Sequence, residues 1–233
     1  MFDLGTWLQD GLQDKYGRAI VRRNPAAAFR LYLRAVAESG GKAGAQLLAY
    51  AYDVGVGTKP DKQLALRWYH RAARDGDSLA ASNMATVYRD DRKFRLMFRW
   101  WMRAVAMGDG GSAVNVGYCY QYGIGTRRNL LLARRMFRRA LTSRAISESG
   151  REEAMYHLAV SFVDDGKIRL ALPLLVCAAA DVDYPEAMSL LNQIRSKGDI
   201  LPCRCRRGIY KHLPGHAKCP QHSPSKKALL NNS

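Results

Sequence analysis

The sequence predicts an all-α protein: a right-handed solenoid of stacked helix-turn-helix repeats, followed by a short basic tail. Three observations carry this reading. The segment from Gly44 to Gly76 is echoed by the segment from Gly111 to Ala140. A small residue recurs at Ala49, Ala85, Gly117 and Ala159, with separations of 36, 32 and 42 residues. Within each copy the apolar positions follow helical spacing, and a self-similar period of this length marks a repeat architecture.

The elements follow in order. Ala45, Leu48, Ala49 and Tyr52 fall at i, i+3, i+4 and i+7, which is one face of a first helix. Gly55 and Gly57, matched by Gly123 and Gly125, end it, because the reversal needs backbone angles that glycine adopts cheaply. Asp61 and Asn129 stand where a side-chain oxygen caps a second helix, whose apolar face carries Leu64, Ala65, Trp68, Tyr69, Ala72 and Ala73 in the first copy. A second unit runs through Ala81, Met84, Ala85, Tyr88 and Trp100-Trp101, with the glycine-free turn Asp90-Asp91-Arg92-Lys93. A fourth runs through Met155, Leu158, Ala159 and Phe162 to Leu174-Leu175, opening on the capping-box pattern Ser149-Gly150-Arg151-Glu152. The 42-residue interval before it is read as a helical extension over 141–149. Leu12 and Tyr16, with Leu31-Tyr32, make a degenerate N-terminal unit capped by Asn24-Pro25, and Ala187, Leu190 and Leu191 open a terminal cap. The expected organisation is a degenerate repeat over 1–43, repeats over 44–198 and a Cys/His tail over 199–233.

Leu48, Tyr52, Gly55, Gly57, Ala65, Trp68, Tyr69, Ala72, Ala73 and Gly76 together resemble the signature of the Sel-one-like repeat (SLR) family of tetratricopeptide-like proteins. Gly44, Ala49 and Arg71 depart conservatively from that signature. The resemblance spans about Leu12 to Arg195 and is strongest in the first and third copies. It implies a scaffold that mediates protein–protein interactions, an adaptor for complex assembly or signalling, with no catalytic role. A monomer with a protein or peptide partner is expected.

Composition adds a charge. Against 20 Asp+Glu stand 37 Lys+Arg, a formal +17, and such a surface attracts anionic partners. No signal peptide is legible in Met1 to Leu12, and the longest apolar run, Leu170 to Ala180, is interrupted by Pro173 and too short to span a bilayer. The odd cysteine count argues for a reducing, cytoplasmic compartment, while signal-independent export stays open. Arginine pairs spaced i, i+4 recur on four second helices: Arg30/Arg34, Arg67/Arg71, Arg99/Arg103 and Arg135/Arg139, widened by Arg74, Arg95, Arg134 and Arg138. Two readings stay open. The ladder is either a solvated face that the repeat signature favours, or a track for an anion: an acidic protein, a lipid surface, or nucleic acid bound through its phosphates.

His70 and His157 are single helical residues without a nucleophile or carboxylate at a meaningful spacing, and no catalytic motif is present. Cys119 and Cys177 are read as packing residues. In the tail, Cys203, Cys205, Cys219 and His222 form two closely spaced ligand pairs, the arrangement of one structural, tetrahedral zinc site. The pattern loosely resembles the SWIM finger, with one extra residue in its second pair. The other reading is a basic extension with incidental cysteines.

Overall fold

The computed structural model describes residues 2–41, 43–179 and 185–196; Cys203, Cys205, Cys219 and His222 lie outside them. The chain divides into two compact units, with the boundary between Met107 and Gly108.

The first unit holds three helix hairpins: α1 (Phe2–Asp10) with α2 (Pro25–Glu38), α3 (Ala45–Val54) with α4 (Lys62–Arg74), and α5 (Ser78–Asp90) with α6 (Phe94–Ala106). Each helix packs on the next in chain order. The expected caps are in place: the Asn24 side chain accepts from Ala27 N at 3.0 Å, and Asp61 Oδ1 accepts from Gln63 N and Leu64 N at 2.9 Å each. Gly55 ends α3 in the left-handed region at φ 82°, and a Cβ on Gly57 would strike the Pro25 carbonyl. In the glycine-free turn of the third hairpin Arg92 takes the left-handed conformation instead, at φ 57°.

The first hairpin corrects the sequence reading. Leu12 and Tyr16 are not on a helix: Leu12–Gln13 (β1) pairs antiparallel with Ala19–Val21 (β2), and Tyr16 stands exposed in the turn. The cause is local chemistry. Gly11 stops α1 at φ 82°, and Asp14 Oδ1 then accepts from both Tyr16 N and Arg18 N, closing an Asx-type turn. The first helix of this hairpin is therefore α1, where Gly5 faces Tyr32 as Gly117 faces Phe137.

The second unit holds α7 (Gly110–Tyr122) with α8 (Leu130–Thr142), α9 (Glu148–Val163) with α10 (Ile168–Ala178), and then α11 (Pro185–Ser196). The expected helical extension over 141–149 is instead a loop from Ser143, because Arg151 donates to the Leu141 and Ser143 carbonyls and Gly110 N to the Ala145 carbonyl, holding the chain off helical geometry. The cap of α9 is Ser147, whose Oγ accepts from Gly150 N at 3.1 Å, two residues before the expected box. The recurring small positions Ala49, Ala85 and Ala159 are fully buried, and a Cβ on Gly117 would collide with the Phe137 ring.

Candidate functional site

Charge is sorted by helix. All five second helices, α2, α4, α6, α8 and α10, carry arginine, and Glu38 is the only acid among them. The first helices α3, α5 and α9 carry Asp53, Asp90, Glu148, Glu152 and Glu153 against Arg89 and Arg151, and α7 carries no Asp, Glu, Lys or Arg. The eight ladder arginines are all exposed, Arg30, Arg34, Arg67, Arg71, Arg99 and Arg103 in the first unit and Arg135 and Arg139 in the second.

In the first unit the two members of each pair have different work. Arg34 pairs with Glu38 at 2.6 Å. Arg71 lies over the Trp68 ring, 5.7 Å from its centroid, and donates to the Gly40 carbonyl just past the end of α2. Arg103 lies likewise 5.0 Å over Trp100 one hairpin on, and donates at 3.3 Å to the Ala73 carbonyl in the last turn of α4, one turn earlier in the repeat than Gly40. The last carbonyls of a helix lack intrahelical partners and carry the negative end of its dipole, so a guanidinium is a fitting cap. Arg30, Arg67 and Arg99, one turn earlier, make no hydrogen bond or ion pair among the described residues; Arg74, Arg95, Arg135 and Arg138 are likewise unpaired there.

Arg134 does not widen the ladder. Only 6% exposed, it donates from Nε to Ser161 Oγ at 3.0 Å and from Nη2 to the Ser161 carbonyl and to Asp165 Oδ2 at 2.7 Å, and its Cζ sits 4.7 Å over Phe162. It ties α8 to the hairpin that follows. One step along the helix from Arg135, it points inward where its neighbour points out.

The histidines are placed apart. His70 is exposed and meets Trp100 edge-on at 5.7 Å. His157 is buried among Tyr118, Tyr122, Tyr156 and Phe137, with Nδ1 unpartnered, and burial pulls its pKa down to about 4, so it is neutral at physiological pH. Burial pushes the Cys119 thiol up to about 12, which removes its nucleophilic form. No group of three His, Cys, Asp or Glu side chains among the described residues is arranged to hold a metal ion. No helix among them is long and apolar enough to cross a membrane.

Sequence reasoning missed the polar partner of the core aromatic. Tyr32 OH donates to Gln9 Oε1 at 3.1 Å, and Tyr69 OH donates to Asp53 Oδ2 at 3.3 Å. Each acceptor lies four residues after the small position, Gly5 or Ala49. In the second unit the same places hold Phe137 and Gln121, and the fully buried Gln121 amide has no partner among the described residues. The signal was available as a tyrosine matched by a polar residue at a fixed offset from the small one. Also missed was the half-exposed pair Tyr118 and Tyr122, rings 4.5 Å apart, beside His157.

The family model for the Sel1 repeat matches residues 1–39, 43–77 and 111–143. Its first match covers the hairpin that the sequence reading treated as degenerate. Among solved structures, the chain is similar to a protective antigen of uropathogenic Escherichia coli strains that displays an SLR fold, with TM-score 0.68 and 23% identity over 84% of this chain; it spans 41% of that protein. It is also similar to a Sel1 repeat protein from Oxalobacter formigenes, with TM-score 0.64 and 24% identity over 76% of this chain and 73% of the other. No curated protein matches the sequence.

Proposed function

We propose that this chain, which carries Sel1 repeats, is a non-catalytic adaptor that assembles a protein complex through the outward faces of its hairpins. Proteins with these repeats are generally protein-interaction scaffolds. The observation that carries the reading is the division of labour on the second helices. Arg71 and Arg103 are used up holding hairpins together, while the guanidiniums one turn away are left to solvent on a face with a single acid. Buried or capped arginines serve the fold; unpaired, exposed ones at a repeated position are available to a partner.

The test is affinity capture of the full chain after exhaustive nuclease treatment, followed by reconstitution with the purified partner. A stoichiometric polypeptide complex supports the adaptor. The nucleic-acid reading draws on the same +17 charge, and it requires that capture vanish with nuclease and that binding fall steeply with salt.

Cys203, Cys205, Cys219 and His222, outside the described residues, are proposed to hold one structural zinc on sequence grounds alone. Four protein ligands leave no position for water. Elemental analysis of untagged protein should find about one zinc per chain, lost in Cys203→Ser/Cys205→Ser, on the stoichiometry of a closed site. Sub-stoichiometric zinc would leave a basic extension.

A further inference from the structure

Three of the unpaired arginines of the first unit, Arg30, Arg67 and Arg99, form a row. Arg71 and Arg103 each reach back to a carbonyl at the C-terminal end of the preceding second helix, Gly40 past α2 and Ala73 in the last turn of α4, so α2, α4 and α6 follow one another along this unit. The edge-on contact of His70 with Trp100 at 5.7 Å confirms that α4 and α6 are neighbours. Arg30, Arg67 and Arg99 each sit one turn before the second arginine of the pair and thus occupy one repeated place.

The surroundings of this row say what it fits. Leu33 and Met102, each three residues after an arginine of the row, are large apolar side chains left exposed on α2 and α6. The lysine of these helices, Lys62, is paired with Asp91 at 3.1 Å, so the unpaired cations here are arginines. The acid, Glu38, is taken by Arg34. Arginine beside methionine, with little lysine, is the composition of protein–protein interfaces, and the guanidinium fork matches a carboxylate. Single-stranded nucleic acid would need bare aromatic faces for its bases, but Trp68 and Trp100 are covered by Arg71 and Arg103.

We infer that this face docks an acidic polypeptide segment interspersed with apolar residues. Its carboxylates meet Arg30, Arg67 and Arg99, and its apolar side chains meet Leu33 and Met102. The inference rests on the adaptor reading above and names the chemistry of the partner.

The experiment titrates the full chain against three probes at about 150 mM salt, where exposed charges more than about 8 Å apart are screened. The probes are a labelled peptide of repeating Glu-Glu-Leu, a labelled single-stranded oligonucleotide of equal charge, and phosphatidylserine vesicles. The peptide should bind saturably and more tightly than the other two. Arg30→Glu/Arg67→Glu/Arg99→Glu should weaken it at least about tenfold, the scale of losing several charge-assisted contacts, with an unchanged melting temperature. Leu33→Ser/Met102→Ser should weaken it severalfold. If the charge reversal unfolds the protein, the corresponding Arg→Gln triple takes its place with the same expectation. No peptide binding, or binding indifferent to these variants, overturns the inference. Tighter binding of oligonucleotide or vesicle through the same arginines also overturns it, and assigns the face to nucleic acid or lipid. A captured partner that the triple variant still retains defeats this inference and leaves the adaptor reading standing, whereas failure to capture any polypeptide defeats the adaptor reading itself.

Discussion

The Phe137 ring stacks on the His157 imidazole in the second unit, centroids 5.7 Å apart and planes 15° from parallel. The imidazole is held neutral there by burial, with a pKa of about 4 against an ordinary 6.5. A depressed folded-state value means that the unfolded chain binds the proton first. The contribution is complete above about pH 6.5 and is lost as pH falls towards 4.

Thermal melts across that window should therefore show a loss on the order of 3 kcal/mol from this residue, about 1.4 kcal/mol per pKa unit. Glu153 in the same unit has its carboxyl raised by burial, so its contribution runs the opposite way and offsets part of the loss. His157→Phe isolates the histidine. It keeps a ring against Phe137, and its advantage over the parent should widen as pH falls from 6.5. A gap that does not change with pH would show that His157 titrates normally.

Phe137→Tyr should stabilise the protein by about 1 kcal/mol, the net value of a hydrogen bond, because it returns the phenol found at Tyr32 and Tyr69 to a core where the Gln121 amide has no partner. Gln121→Leu should stabilise as well, by removing the unpaired amide. The two changes should not add, since each resolves the same defect. Additive effects, measured by chemical denaturation, would show that the new hydroxyl does not reach Gln121.

Much of this fold is legible in the sequence. The helices around Tyr52, Trp68-Tyr69 and Tyr120 announce themselves through spacing, glycine stops and the Asp61 and Asn129 caps, all of which are local chemistry. The ribbon at Leu12–Val21 was not legible, because Asp14 and Gly17 create a turn that competes with an apolar pattern suited to a helix. Nor was the split within each arginine pair. Arg67 and Arg71 look alike in sequence, and only the Gly40 carbonyl past the end of α2 separates a bonded guanidinium from a free one.

Arg134→Ala should cost about 3 kcal/mol, because it removes a guanidinium that is nearly fully buried and bonded to Ser161 and Asp165. Arg134→Lys should recover little of that, since one ammonium cannot reproduce the forked contacts. Equal stability of the lysine variant and the parent, by denaturant midpoint, would show that charge alone suffices.

Arg30, Arg67 and Arg99 are proposed to bind a partner while Arg71 and Arg103 hold the hairpins together. One comparison tests it most directly: nuclease-treated capture, with melting temperatures, for the parent, Arg30→Glu/Arg67→Glu/Arg99→Glu and Arg71→Ala/Arg103→Ala. The first variant should lose the partner and melt with the parent. The second should melt lower, by about 1 kcal/mol of stability for each lost cap at these exposed sites, and keep the partner at temperatures where it is folded. Reversed behaviour of the two variants, or a partner held equally by both, would contradict the account.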